Sequence, residues 1–89
     1  MNNLVTQNHQ YTTTDTALAT YLIVEGFTLD KIDYSQPRFE FTFKNATADI
    51  QEHATKYISG NALVDPATYN RVNKKLLRIV KNQLQWEGD

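Results

Sequence analysis

The stretch DPATYNRVNKKLLRIVKNQLQW, residues 65–86, has the clearest amphipathic pattern in this 89-residue chain. Asp65 suits a helix N-cap because its carboxylate can accept hydrogen bonds from first-turn amides, and Pro66 suits the first turn because its missing N–H would have no partner there. Apolar residues then recur at spacings of three and four, which aligns them on one side of a helix. The pattern predicts a long helix over residues 66–86 with this stripe buried: Tyr69, Val72, Leu76, Ile79, Val80 and Leu84.

The opposite side of the predicted helix is basic. Residues 66–86 carry five cations and no acid, whereas residues 1–65 carry four cations and eight acids. At 100° per residue the five cations fall within an arc of about 120°. This basic ridge is either the solvated side of an amphipathic helix or a binding surface for phosphates or an acidic partner. Its members are Arg71, Lys74, Lys75, Arg78 and Lys81.

Three earlier segments have the composition of β-strands. Residues 9–13 are rich in β-branched and aromatic side chains, and residues 27–34 change phase near Asp30 and Lys31, which predicts a bulge. In the segment RFEFTFK, residues 38–44, strict alternation places three phenylalanines on one face. We therefore expect this last strand at the centre of a sheet, with three side chains facing the core: Phe39, Phe41 and Phe43.

Two further helices are predicted between these strands and the C-terminal helix. The first covers residues 15–25 and ends at Gly26; the second is capped by Asn45 or Thr47 and ends at Gly60. The element order β-α-β-β-α-α predicts an α+β fold, in which a three-stranded mixed sheet carries all helices on one face.

The whole chain is the size of one domain. Residues 1–8 are expected to be a flexible N-terminal tail, and residues 9–86 the single domain. In the link before the last helix, Leu63 and Val64 are expected to enter the core.

Composition excludes several classes of site and location. The chain has no cysteine, so disulfides, thiolate metal sites and thiol nucleophiles are impossible. No apolar run approaches the ~20 residues of a membrane span, and the N-terminus lacks the apolar core of a signal peptide. We therefore expect a cytoplasmic protein.

Residues capable of catalysis are few and scattered. His9 and His53 stand far apart, Ser35 and Ser59 lack a glycine-framed elbow, and the three glycines cannot form a phosphate-binding loop. No catalytic residue, metal site, cofactor or small-molecule substrate is predicted, and we do not expect an enzyme.

Two aromatic residues are candidates for exposure. Tyr34 ends the second strand, and Trp86 lies beyond the last clear position of the apolar stripe. A second copy of the chain could cover an exposed tryptophan at the end of a long helix, so Leu84 and Trp86 are candidate contacts in a homodimer.

The segments YTTTDTALATYLIVEGF, FEFTF and ALVDPATYNRVNKKL resemble a family of small bacterial and bacteriophage proteins described as a domain of unknown function. The resemblance covers residues 11–82. It implies the same fold and a phage or mobile-element setting, but no mechanism. The residues that carry it are Tyr11, Thr14, Asp15, Ala19, Leu22, Gly26, Phe27, Phe41, Phe43, Leu63, Val64, Asp65 and Pro66.

Two functions are compatible with these observations. The first is a non-enzymatic interaction module that uses the basic helix to engage an acidic protein partner or its own copy. The second is a nucleic-acid-binding accessory protein that places the same cations on phosphates. The net charge of −1 argues against a surface built entirely for polyanions.

Overall fold

A three-stranded antiparallel sheet forms the base of the fold. The computed structural model describes residues 10–44 and 48–87. Its strands β1 (Gln10–Thr13), β2 (Leu29–Asp33) and β3 (Glu40–Lys44) are ordered β1-β3-β2. The predicted central position of β3 is confirmed. Each of the two hydrogen-bonded pairs, β1 with β3 and β2 with β3, is antiparallel. The sheet is therefore antiparallel, not the mixed sheet that the sequence predicted.

Three predictions concern residues that the structure does not describe. They are the N-terminal tail over residues 1–8, the start of the first strand at His9, and the cap of the second helix at Asn45 or Thr47.

The predicted bulge in β2 is confirmed. Leu29 pairs with Phe43 and Lys31 pairs with Thr42, so Asp30 is an extra residue on β2. This one-residue shift lets Leu29 and Ile32 both face the core, although their odd spacing would place them on opposite faces of a regular strand.

Helix α1 (Thr16–Val24) is buried on almost every side. It contacts β1, α2 (Ala48–Ile58) and α3 (Pro66–Lys81). A helix that is apolar all round belongs in the interior of a fold. Its buried residues are Leu18, Ala19, Thr20, Tyr21, Leu22 and Ile23.

The phenylalanine face of β3 lines the core as predicted. Phe41 and Phe43 are fully buried, and the half-buried Phe39 packs edge-on against Tyr34, with ring centres 5.3 Å apart. On β3, Thr42 faces the opposite side of the sheet and is still buried, between Thr12 of β1 and Lys31 of β2.

Helix α3 begins as predicted. The Asp65 carboxylate accepts hydrogen bonds from the Thr68 amide at 2.9 Å and from the Thr68 hydroxyl at 2.8 Å. These two hydrogen bonds, the hydroxyl's first, hold the pKa of Asp65 below its usual value.

Helix α3 packs against α1. The Tyr69 hydroxyl donates to the Ala17 carbonyl at 3.3 Å, and the side chains of Thr20 and Asn73 are hydrogen-bonded at 3.0 Å. The buried part of its stripe consists of Val72, Leu76 and Val80.

All three helices end in the same hydrogen-bonded turn, the Schellman motif. In α3 the Leu84 amide donates to the Ile79 carbonyl at 2.9 Å, and the Gln83 amide donates to the Val80 carbonyl at 3.0 Å. The equivalent bonds close α1 and α2. The motif requires one left-handed residue in each turn, and in α1 and α2 this residue is glycine: Gly26 with φ +101° and Gly60 with φ +83°.

The predicted end of α3 is wrong. The helix ends at Lys81, not at Trp86, because Gln83 takes the left-handed conformation with φ 52° and reverses the chain. Leu84 therefore lies outside the helix and does not continue its buried stripe.

The link between α2 and α3 also departs from prediction. Leu63 is 90% exposed and does not enter the core, whereas Ala62 and Val64 pack against the core. The link runs from the end of α2 to the Asp65 cap of α3, and the side chains along it alternate between the core and solvent.

We expect Gln83→Gly to raise the free energy of unfolding by about 0.5–1 kcal/mol, because glycine adopts positive φ without steric cost. Urea unfolding measures the change. The reverse substitution, Gly60→Ala, is the matched control. A Cβ at Gly60 would meet no atom within 4 Å, so its cost is purely conformational, about 1–2 kcal/mol. Loss of stability in Gln83→Gly would contradict the assignment of this turn.

Candidate functional site

The exposed surface of α3 carries four cations that we call the cationic face: Arg71, Lys74, Arg78 and Lys81. It is opposite the buried stripe of the helix, so burial of that stripe against α1 fixes its outward direction. The face extends over almost three turns, or roughly 15 Å.

Lys75 does not belong to this face, although the sequence places it on the basic ridge. It is half-buried, and its Nζ lies 4.4 Å from the centre of the Trp86 ring. An ammonium group over an indole face gains about 0.5–2 kcal/mol, depending on how far it is desolvated. The structure therefore separates the five predicted cations into an exposed group of four and one that packs on an aromatic ring.

Most of the cationic face lacks an internal counter-charge. Among residues 10–44 and 48–87, Lys74, Arg78 and Lys81 form no ion pair within 4 Å. Helix α3 contains no acid. Unneutralised cations on one side of a short helix create a local positive field even when the net charge of the chain is near zero.

One large apolar side chain adjoins the cationic face and was not predicted from the sequence. Leu77 is 48% exposed. It lies three residues after Lys74 and four before Lys81, so it is their neighbour on the helix surface. The available signal was the doublet of Leu76 and Leu77. Consecutive residues lie 100° apart around a helix, so when a helix buries one stripe that contains Leu76, Leu77 falls at or beyond the edge of that stripe.

The chain returns to the sheet after α3 and covers the outer edge of β2. The Ile32 amide donates to Gln85 Oε1 at 2.7 Å, and Gln85 Nε2 donates to the Ile32 carbonyl at 2.9 Å. The Tyr34 hydroxyl donates to the Leu84 carbonyl at 2.6 Å. These contacts hold the C-terminal return, residues 82–86, against β2.

The predicted exposure of Trp86 is wrong, because the C-terminal return buries it. Its exposed fraction is 8%, and it belongs to the hydrophobic core. Tyr34, the other candidate, is half-buried, and burial raises the pKa of its hydroxyl. Of the two candidate homodimer contacts, Trp86 is covered by its own chain, while Leu84 is 54% exposed.

Two shallow grooves flank Trp86. One, of about 420 Å³, is lined by apolar side chains and the turn after α1, including Ile23, Phe27 and Trp86. The other, of about 430 Å³, includes Lys75 and Glu87. Neither brings together the nucleophile, base and oxyanion donors that a catalytic site requires.

His53 joins two helices. Its Nδ1 lies 2.8 Å from the Asp49 carbonyl oxygen, and its Nε2 lies 3.3 Å from a carboxylate oxygen of Glu25. Its ring packs edge-on against Phe27, with centres 5.2 Å apart. These contacts account for a half-buried histidine between α1 and α2. His9 lies outside the described residues.

The two serines considered as nucleophiles make local hydrogen bonds. The Ser35 hydroxyl donates to Asp33 Oδ1 at 2.5 Å, and this bond is the largest cause of the lowered pKa of Asp33. The Ser59 hydroxyl donates to the Lys56 carbonyl at 3.2 Å. Within the described ranges, no three His, Asp or Glu residues are grouped to hold a metal ion.

No helix in the described part of the chain combines the length and apolar character needed to cross a bilayer.

Comparison with known families gives a match over most of the chain. The model of the family described as a domain of unknown function (DUF5659) matches residues 8–84. Searches of curated proteins and of solved structures returned no match.

We expect Gln85→Ala to lower the free energy of unfolding by about 1–2 kcal/mol, because it leaves both backbone groups of Ile32 without their partner. Trp86 is the only tryptophan, so its emission should also shift to the red as the C-terminal return loosens. Urea unfolding followed by tryptophan fluorescence measures both effects. Gln51→Ala, on the exposed side of α2, is the control and should stay within about 0.5 kcal/mol of the parent. Equal stability of the two variants would contradict the Gln85 contact.

Proposed function

The chain belongs to the family described as a domain of unknown function (DUF5659), and we propose that it is a small non-enzymatic binding module whose cationic face engages an acidic partner protein. The observation that carries this proposal is the set of three exposed cations on α3, Lys74, Arg78 and Lys81, without an ion pair in the described part of the chain. A complementary acidic surface would steer the encounter and fix the orientation of the complex.

The position of Leu77 favours a protein over a nucleic acid as the partner. A half-exposed leucine beside Lys74 and Lys81 offers an apolar contact within a cationic surface. Protein interfaces combine an apolar centre with a polar rim, whereas contacts to a phosphate backbone use mainly basic and polar groups. An acidic segment that carries an apolar side chain would match both features.

Nucleic acid is the alternative partner for the same surface. Arg71, Lys74, Arg78 and Lys81 could contact phosphates, and each contact would add about 0.9 to the slope of log affinity against log salt. The excess of acids over cations in residues 1–65 opposes this alternative, because it places negative charge on the rest of a small protein.

The proposed setting is the cytoplasm of a bacterial cell, with the gene carried by a phage or another mobile element. The support is the resemblance of residues 11–82 to small bacterial and bacteriophage proteins. The lack of cysteine is compatible with a reducing compartment.

Charge reversal tests the proposal directly. The variant Lys74→Glu/Arg78→Glu is compared with Arg38→Glu/Lys56→Glu, which makes the same change in net charge at exposed cations outside α3. One probe is a fluorescent peptide in which helical turns rich in glutamate alternate with turns that contain leucine. The other probes are fluorescent single-stranded DNA and RNA. Fluorescence anisotropy at low and moderate salt measures binding of each probe.

We expect the acidic peptide to bind the parent chain. Reversal on α3 should weaken its binding at least tenfold, about 1.4 kcal/mol, whereas the control pair should have a much smaller effect. Leu77→Ala should also weaken it. The alternative outcome is that DNA or RNA binds with an affinity that falls steeply with salt, that is lost on charge reversal in α3 and that Leu77→Ala does not change. This result would identify a nucleic acid, and not an acidic protein, as the partner. Absence of binding to every probe would contradict a role for the cationic face.

A further inference from the structure

The two outer strands of the sheet differ in how far their free edges are protected from pairing with another chain. An exposed strand edge presents unpaired amides and carbonyls, which can pair with another chain unless bulges, charges or covering groups prevent it. On β2 all three devices are present: a bulge at Asp30, the charged residue Lys31, and the Gln85 amide bonded to both backbone groups of Ile32.

The edge of β1 has none of these devices. Its residues, Gln10, Tyr11, Thr12 and Thr13, include no charge, no proline and no bulge, and three of the four are strong strand formers. Gln10 and Thr12 are exposed. Among the described residues, no group is bonded to the outward side of this strand.

The hydrogen-bond alternation identifies the outward backbone groups of β1. Ile32 bonds to Gln85, so its partner Phe41 must direct its backbone groups to β1 and pair with Thr13. The Lys44 amide donates to the Thr28 carbonyl at 3.3 Å, on the β2 side, so Lys44 does not bond to its own partner on β1, Gln10. The alternation therefore directs the amides and carbonyls of Gln10 and Thr12 away from the sheet.

We propose that β1 pairs with β1 of a second copy of this chain, in antiparallel register, to form a continuous six-stranded sheet across a two-fold axis. The edge is self-complementary. When Gln10 of one copy lies opposite Thr12 of the other, each pair exchanges two backbone hydrogen bonds, and no outward group of the strand is left unpaired.

The same register brings Tyr11 of the two copies together. They form the close pair on the two-fold axis, on the core side of the sheet, where an aromatic cross-strand pair stabilises the pairing. No like charges meet along the strand, since β1 carries none. In any other antiparallel register of β1 with its copy, Gln10 and Thr12 cannot both form these backbone hydrogen bonds within the strand. Because the strand matches its own copy so fully in this one register, the partner that fits it best is a second copy of the chain.

Thr12→Pro tests the pairing. It removes an amide that has no partner in the single chain but donates across the proposed interface, and proline is tolerated where a strand's N–H faces outward. Thr12→Val keeps the amide and the β-branched shape and is the matched control. Sedimentation equilibrium of the full chain at increasing concentration measures the mass, and thermal unfolding checks that each variant is folded.

We expect the parent and Thr12→Val to approach twice the monomer mass of 10.3 kDa, and Thr12→Pro to remain monomeric with an unchanged fold. Should Thr12→Pro unfold, Thr12→Lys replaces it, because it places a charge in the interface without altering the backbone. A parent chain that stays monomeric at submillimolar concentration would overturn the proposal. So would a dimer that persists in Thr12→Pro and in Thr12→Lys, for example one abolished by Leu84→Lys instead.

Discussion

The burial of α1 is the constraint on which the rest of the structure depends. This nine-residue helix is covered by the sheet on one side and by α2 and α3 on others, and its residues from Leu18 to Ile23 are all buried. Burying this much apolar surface is the main favourable term in folding a domain of this size. It requires an apolar stripe on α3, which Val72, Leu76 and Val80 supply. Once that stripe faces α1, helical geometry directs the cations of α3 to solvent. The cationic face is therefore a consequence of how the core is built.

The C-terminal return adds a second constraint that acts on several parts of the surface at once. By reversing at Gln83, the chain brings Gln85 to the edge of β2 and Trp86 into the core beside Lys75. One short segment thus closes a sheet edge, completes the core and withdraws a cation from the cationic face. The same segment explains why the two sheet edges are not equivalent, since no comparable segment among the described residues covers β1.

The sequence predicted the features that local chemistry determines. Glycines at 26 and 60 marked two helix ends, Asp65 and Pro66 marked a helix start, and the alternation of phenylalanines placed β3 at the centre of the sheet. It did not predict the end of α3, because the left-handed residue there is glutamine, which has no such preference. The positions of Lys75 and Trp86 were also missed, since their contact joins a helix to a segment that reverses, and no spacing rule along one helix describes it. Leu77 could have been found from the doublet with Leu76.

Native-state lysine labelling tests the central claim most directly: that burial against α1 fixes which side chains of α3 face solvent. An amine-reactive reagent is applied to the folded and the urea-unfolded chain, and tandem mass spectrometry separates the adjacent Lys74 and Lys75. The structure predicts that Lys74 and Lys81 react almost as fast in the folded chain as in the unfolded one, whereas Lys75, half-buried over Trp86, is clearly slowed by folding. Equal protection of Lys74 and Lys75, or stronger protection of Lys74, would contradict this orientation of the helix.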